Sequence, residues 1–174
     1  LRNDNWWAVN RLLLWIRKPL QDQTVPNPLA EGGENVIERG LITLTERELK
    51  NKVLPELGER RPVPILLVKA SGADLTNPEK AFSMNHQVLV IAAYRHGEEW
   101  DLDVYDPNFP DEKQTLHTGS RKQTRKGSTA SVGGYRGFYR TPYKVKRPAW
   151  VPSDSRQASV LGAPLVTLGD PGGE

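Results

Sequence analysis

Two apolar runs joined by a polar turn constrain this chain more than anything else in it. The first is His86-Gln87-Val88-Leu89-Val90-Ile91-Ala92-Ala93-Tyr94; the second, Trp100-Asp101-Leu102-Asp103-Val104-Tyr105, is closed by Asp106-Pro107-Asn108. Both are rich in residues that suit a pleated surface, and Arg95 to Glu99, with Gly97 at its centre, suits a reversal, so the pair predicts an antiparallel hairpin. A turn centred on Gly97 sets His86 opposite Asn108 and Val88 opposite Asp106, making Asp106 a diagonal neighbour of His86 on one face. Trp100, Leu102 and Val104 share that face, while Asp101 and Asp103 point away. The first strand is apolar on both faces, which places it centrally in a sheet. A slip of one residue would put His86 and Asp106 on opposite sides.

The remaining elements follow from capping and breaking residues. Trp6 to Lys18 reads as a helix capped by Asp4 or Asn5 and stopped by Pro19, with Trp6, Val9, Leu13 and Ile16 as its inward stripe. Leu12, Leu14 and Trp15 widen the apolar surface, so the helix packs on the sheet or, through Trp6, Trp7 and Trp15, meets a protein partner or another subunit. A membrane-surface helix is the alternative. Residues 19–40, broken by Pro19, Pro26, Pro28, Gly32, Gly33 and Gly40, read as a linker. Thr45-Glu46-Arg47-Glu48 matches a capping box, predicting a helix from about Glu46 that turns Leu49, Val53 and Leu57 inward, is limited by Pro55 and ends at Gly58. Strands are expected over 63–69, 86–94, 100–106, 114–118 and 135–146, with a polar loop over 71–84. With 14 prolines, 15 glycines and 37% hydrophobic residues in 174, the chain has material for one core. The expectation is an α+β fold, one or two helices against an antiparallel sheet and many loops, in a single domain over 1–150, followed by a flexible or partner-docking tail over 151–174.

An imidazole at the start of one strand and a carboxylate at the end of the next can bring together a base and the group that orients it. The plainer account is a satisfied polar pair beside an ordinary Asp-Pro-Asn turn. The chain contains no cysteine, which removes disulfides, thiolate zinc sites and a thiol nucleophile from it. Ser71 and Ser83 are the nearest upstream hydroxyls, and neither lies in a Gly-x-Ser-x-Gly elbow. His86, His96 and His117 lack metal-ligand spacing, and no phosphate loop or dinucleotide fingerprint is visible, so neither a metal nor a cofactor is expected. No apolar run approaches the ~20 residues that span a bilayer, and no secretion signal is visible; a soluble protein, cytoplasmic or secreted, is expected.

Charge is uneven. Lys113, Arg121, Lys122, Arg125, Lys126, Arg136, Arg140, Lys144, Lys146 and Arg147 fall in a stretch to Ser153 without a single acid, leaving −7 for the rest of a chain whose net charge is +3. Tyr135, Phe138, Tyr139 and Tyr143 interleave with these cations, as a groove for nucleic acid or another polyanion would require. A strand pair with a solvated basic face has the same composition and is the favoured reading.

Four stretches, taken together, resemble a known family: Asn85-His86-Gln87-Val88-Leu89-Val90, then Val104-Tyr105-Asp106-Pro107-Asn108-Phe109-Pro110, preceded by Arg61-Pro62-Val63-Pro64-Ile65-Leu66-Leu67-Val68 and followed by Arg136-Gly137-Phe138-Tyr139-Arg140-Thr141-Pro142-Tyr143. In order, over roughly residues 36–146, they look like the strands of papain-like cysteine peptidases, in particular bacterial members of the bacteriocin-leader-peptidase-like branch. The resemblance implies a proton-transfer role for His86, an orienting role for Asp106 and a lesser one for Asn108. It also implies a cysteine at the start of an earlier helix, which this chain lacks; residue 1 is Leu, and the nucleophile is expected upstream of it or not at all. Three readings result: a catalytically incomplete domain that scaffolds or binds a protein or peptide; the His/Asp part of an active thiol peptidase or amidase; and a basic polyanion-binding module.

Overall fold

The computed structural model describes residues 6–27, 29, 33–118 and 134–142, with only the main chain of Trp6 and Trp7. Five strands, β3 (Val63–Val68), β4 (His86–His96), β5 (Glu99–Tyr105), β6 (Gln114–Thr118) and β7 (Gly137–Arg140), form one sheet in the order β6-β5-β4-β3-β7, every neighbouring pair antiparallel. Four short helices accompany it: α1 (Trp6–Arg17), α2 (Leu41–Glu48), α3 (Leu54–Gly58) and α4 (Pro78–Ser83). The fold is therefore α+β, with β4 at the centre of the sheet.

Alternation along the strands sorts the core into two. On one face Val63, Ile65, Leu67, Val88, Val90, Leu102, Val104, Leu116 and Phe138 pack with Leu49 and Val53 from the helical segment that follows α2. On the other, Val68 and Tyr139 pack with Leu12, Trp15 and Ile16 of α1 and Ala81 of α4. Among the described residues this second face is covered at its β3–β7 end alone. Towards β5 it is open, and Ile91, Tyr94 and Tyr105 are exposed there.

Several expectations require correction. Residues 19–40 are not a linker throughout: β1 (Gln23–Pro26) pairs antiparallel with β2 (Asn35–Glu38) in a separate two-stranded sheet. Pro26 ends β1, where a missing N–H costs nothing in the ladder. Helix α2 begins at Leu41, not near Glu46, because main-chain carbonyls replace a side-chain cap: Pro19 O and Leu20 O accept from the N–H groups of Leu41 and Ile42. Gly40 makes that junction feasible, since a Cβ there would fall 2.3 Å from the carbonyl carbon of Gln21. Between α2 and α3 the chain widens into a π-helical turn, Leu49–Val53, immediately before Pro55. Pro55 has no N–H for the regular helical ladder, and a π turn absorbs the defect. The supposed loop before His86 holds a short 3₁₀ segment, Gly72–Thr76, capped by Ser71 and Asp74, and then α4, capped by Asn77.

In α1 the inward stripe is Ala8, Leu12, Trp15 and Ile16, one step round from the expected one, with Leu14 left exposed. Trp15 is thus a core residue, 7% exposed and tilted against the Tyr139 ring at 5.0 Å between centroids, and it is not available to a partner. The proposed caps Asp4 and Asn5, the side chains of Trp6 and Trp7, and the tail over 151–174 lie outside the described residues. Among the described residues no helix is long and apolar enough to cross a membrane.

The residues of the supposed capping box serve the sheet instead. Strand β7 is an edge, and its outward N–H groups are taken by α2: Thr45 Oγ1 accepts from Phe138 at 3.2 Å and Glu48 Oε2 from Arg140 at 3.0 Å. Two acceptors three residues apart on a helix thus match two donors two residues apart on a strand, closing an edge that would otherwise invite pairing. Gly137 permits the approach, since a Cβ there would sit 2.5 Å from Thr45 Oγ1.

Candidate active site

His86 and Asp106 meet because of a β-bulge. The hairpin closes with His96 paired to Glu99, across a two-residue loop in which Gly97 takes a φ of 63°. Continued unbroken, that register would pair Val88 with Pro107 and send Asp106 to the face opposite His86. The register shifts between Val90 and Ala92, however, so that Val90 pairs with Val104 and Leu89 with Tyr105. One extra residue, Ile91, returns the strand ends to the phase expected from a turn centred on Gly97 and sets both side chains on the face of Leu67 and Val104, the one that packs with Leu49 and Val53.

His86 Nε2 lies 2.8 Å from Asp106 Oδ1; the imidazole retains 18% of its surface and the carboxylate 1%. The contact is close but poorly aligned. Nε2 has no hydrogen-bond partner of good geometry, and Asp106 Oδ2 has none at all. Before a reacting group is in place, hydrogen bonds between such groups are often poorly aligned. Asp106 Oδ1 also accepts from the Asn108 N–H at 2.9 Å, and its carbonyl from the Phe109 N–H, so the Asp-Pro-Asn turn fixes the carboxylate from behind. Asn108 contributes through its main chain; its side chain is exposed and is not brought to the imidazole. The Nδ1 atom of His86 makes no hydrogen bond to any described residue.

Two neighbours escaped the sequence argument. Tyr135, 7% exposed in the core on this face, has its phenol pushed up to about 12, by burial first and then by the negative charge of Asp106, so it stays protonated beside the pair. Gln114, 3% exposed, sits on the same face across from Val104 and donates to Glu112 Oε2 at 3.1 Å. No local pattern marks Tyr135, because it precedes β7, whose pairing partner β3 lies some seventy residues back; Gln114 opens a strand that the alternation marks, but its polar side chain gives no sign of burial.

The other polar groups have different surroundings. Asp101 lies between His96, 3.2 Å away, and His117, and among the described residues no group of His, Asp or Glu is arranged to hold a metal ion. Of the basic residues, Lys113 pairs with Asp103 at 3.0 Å, Arg140 with Glu56 at 2.9 Å, and Arg136 donates to the carbonyls of Ile16, Ala70 and Lys18. Tyr135, Phe138 and Tyr139 are buried, so none offers a stacking surface. Arg121, Lys122, Arg125, Lys126, Tyr143, Lys144, Lys146 and Arg147 lie outside the described residues. Comparison with protein-family models, with curated proteins and with solved structures gives no match to this chain.

Proposed function

We propose that this chain is a catalytically incomplete domain of papain-like type, a binding or scaffolding component that carries the acid–base half of a thiol peptidase or amidase. The observation that supports this reading is the pair itself: a buried carboxylate against an imidazole that still reaches solvent, with Nδ1 unengaged by any described residue. A merely structural pair is expected to be closed on all sides; this one is closed on the carboxylate side alone.

The chemistry would run as follows when a thiol is brought to Nδ1. His86 takes the thiol proton, and the thiolate attacks the carbonyl carbon of an amide. His86 then returns the proton to the departing amine, leaving a thioester, and water activated by the same nitrogen hydrolyses it. Asp106 holds the ring and balances its charge while it is protonated. Every step but the nucleophile's own has a group in this chain.

The test is thiol rescue. An activated acyl ester is mixed with the protein and a small thiol, and release of the leaving group is followed as thiol is added. The expected result is a thiol-dependent rate that His86→Ala lowers by roughly 10²-fold, the lower bound for a positioned general base. Equal thiol-dependent rates in the parent and His86→Ala would reject the acid–base reading and leave only a scaffold.

A further inference from the structure

We propose that Asn85 is the positioning residue of His86, an inference that rests on the acid–base reading above. Asn85 immediately precedes His86, and its carboxamide ties that point of the chain to two other elements. Oδ1 accepts from the N–H of Lys69 at 3.0 Å and of Ala70 at 3.4 Å, just beyond the end of β3. Nδ2 donates to the carbonyls of Ala81 at 2.7 Å and Phe82 at 3.4 Å, in the last turn of α4. The start of β4 is thereby held from the strand it pairs with, Leu67 opposite His86, and from the helix that leads into it.

Only a short primary amide can do both. An aspartate keeps the acceptor but loses the donors, and a residue that merely caps α4 would need donors alone. The far side of the anchor is fixed as well: Ala70 O accepts from Arg136 at 2.9 Å, and the same guanidinium takes Lys18 O at 3.1 Å at the end of α1. Asn85 therefore pulls against a segment that cannot drift. Placement of the ring depends on it because Asp106 reaches Nε2 from β5 on a different, independently anchored turn.

The test reads the ring itself. Nitrogen NMR of the three imidazoles and the thiol-rescue rate are measured for the full chain and for Asn85→Ala, Asn85→Asp and Asp106→Asn, with folding checked by thermal melting. In Asn85→Ala the His86 ring loses its single neutral tautomer and the rate falls roughly 10- to 100-fold, as expected for a misplaced base; Asn85→Asp falls between, and the His96 and His117 signals stay in place. Should Asn85→Ala not fold, Asn85→Asp decides. If the Asn85 variants keep the parent's His86 signals and rate while Asp106→Asn changes both, Asn85 does not position the base, though the pair reading stands. If all three ring signals move together in the Asn85 variants, the residue is structural only and the proposal is overturned. If Asp106→Asn also changes nothing, the acid–base reading fails first.

Discussion

Two buried carboxylates of this protein have opposite surroundings. Glu48 is saturated: Oε1 accepts from Arg11 at 2.7 Å and from Lys52, and Oε2 from the Arg140 N–H at 3.0 Å. Arg11 in turn donates to Arg140 O at 3.1 Å and lies 4.4 Å above the Tyr139 ring, so four elements close around one acid. Asp106 is more deeply buried and less well supplied, with one main-chain donor, one off-line imidazole and an oxygen with no partner. A buried polar group left short of partners costs stability, and natural folds tolerate few of them. The saturated acid therefore reads as a fastening of the sheet edge, and the undersupplied one as a place where something remains to be bound or moved.

The contrast can be broken most severely at Glu48. Glu48→Ala takes away the carboxylate that balances the Arg11 charge and the acceptor of the Arg140 N–H, and unfolding by denaturant should show a loss of about 3 kcal/mol or more. Deleting Ile91 removes the bulge and forces a choice between ladders: keeping both β3 and β5 paired to β4 sends Asp106 to the face away from His86. The expected outcome is loss of thiol rescue with a fall of some 2 kcal/mol in stability, since overpacking or strain replaces the lost phase. Ile91 is 52% exposed, so little burial is lost with it. Asp106→Asn should do the reverse of Glu48→Ala, changing stability by less than about 1 kcal/mol, because an amide oxygen still accepts from Asn108, while rescue largely disappears.

The smallest effect is alkaline. Tyr139, on the Glu48 side, and Tyr135, on the Asp106 side, both have phenols raised from 10.0 to about 12, in each case chiefly by burial. A raised folded value means the native state holds the proton more tightly. The contribution is therefore complete below pH 10 and is lost as pH rises through about 12. Melting followed across that window should fall for the parent, and Tyr139→Phe and Tyr135→Phe should each remove part of the slope. A slope untouched by either would mean that neither phenol is buried as described.

What could be read from residues alone was the sheet. The strands at 63, 86, 100 and 114 begin within a residue of expectation because hydrophobic alternation and turn residues are local signals. The facing of His86 and Asp106 was also legible, but for an incomplete reason: the turn is centred half a residue beyond Gly97, and the bulge at Ile91 makes up the difference. No composition rule marks a bulge inside a continuous apolar strand. Thr45 to Glu48 misled because a capping box and an edge-strand clamp use the same residue types, and only the partner strand, ninety residues on, distinguishes them. The β1–β2 hairpin was hidden by prolines and glycines at its ends, and Asn85 by the fact that its four partners lie in two elements.

The central claim is that Asp106 engages one nitrogen of His86 and leaves the other for a reacting group. Nitrogen NMR of the His86 ring in its neutral form tests it most directly. The account predicts one dominant tautomer, protonated at Nε2 and bare at Nδ1, that gives way to a mixture in Asp106→Asn. A ring protonated at Nδ1, or one indifferent to Asp106→Asn, would contradict it.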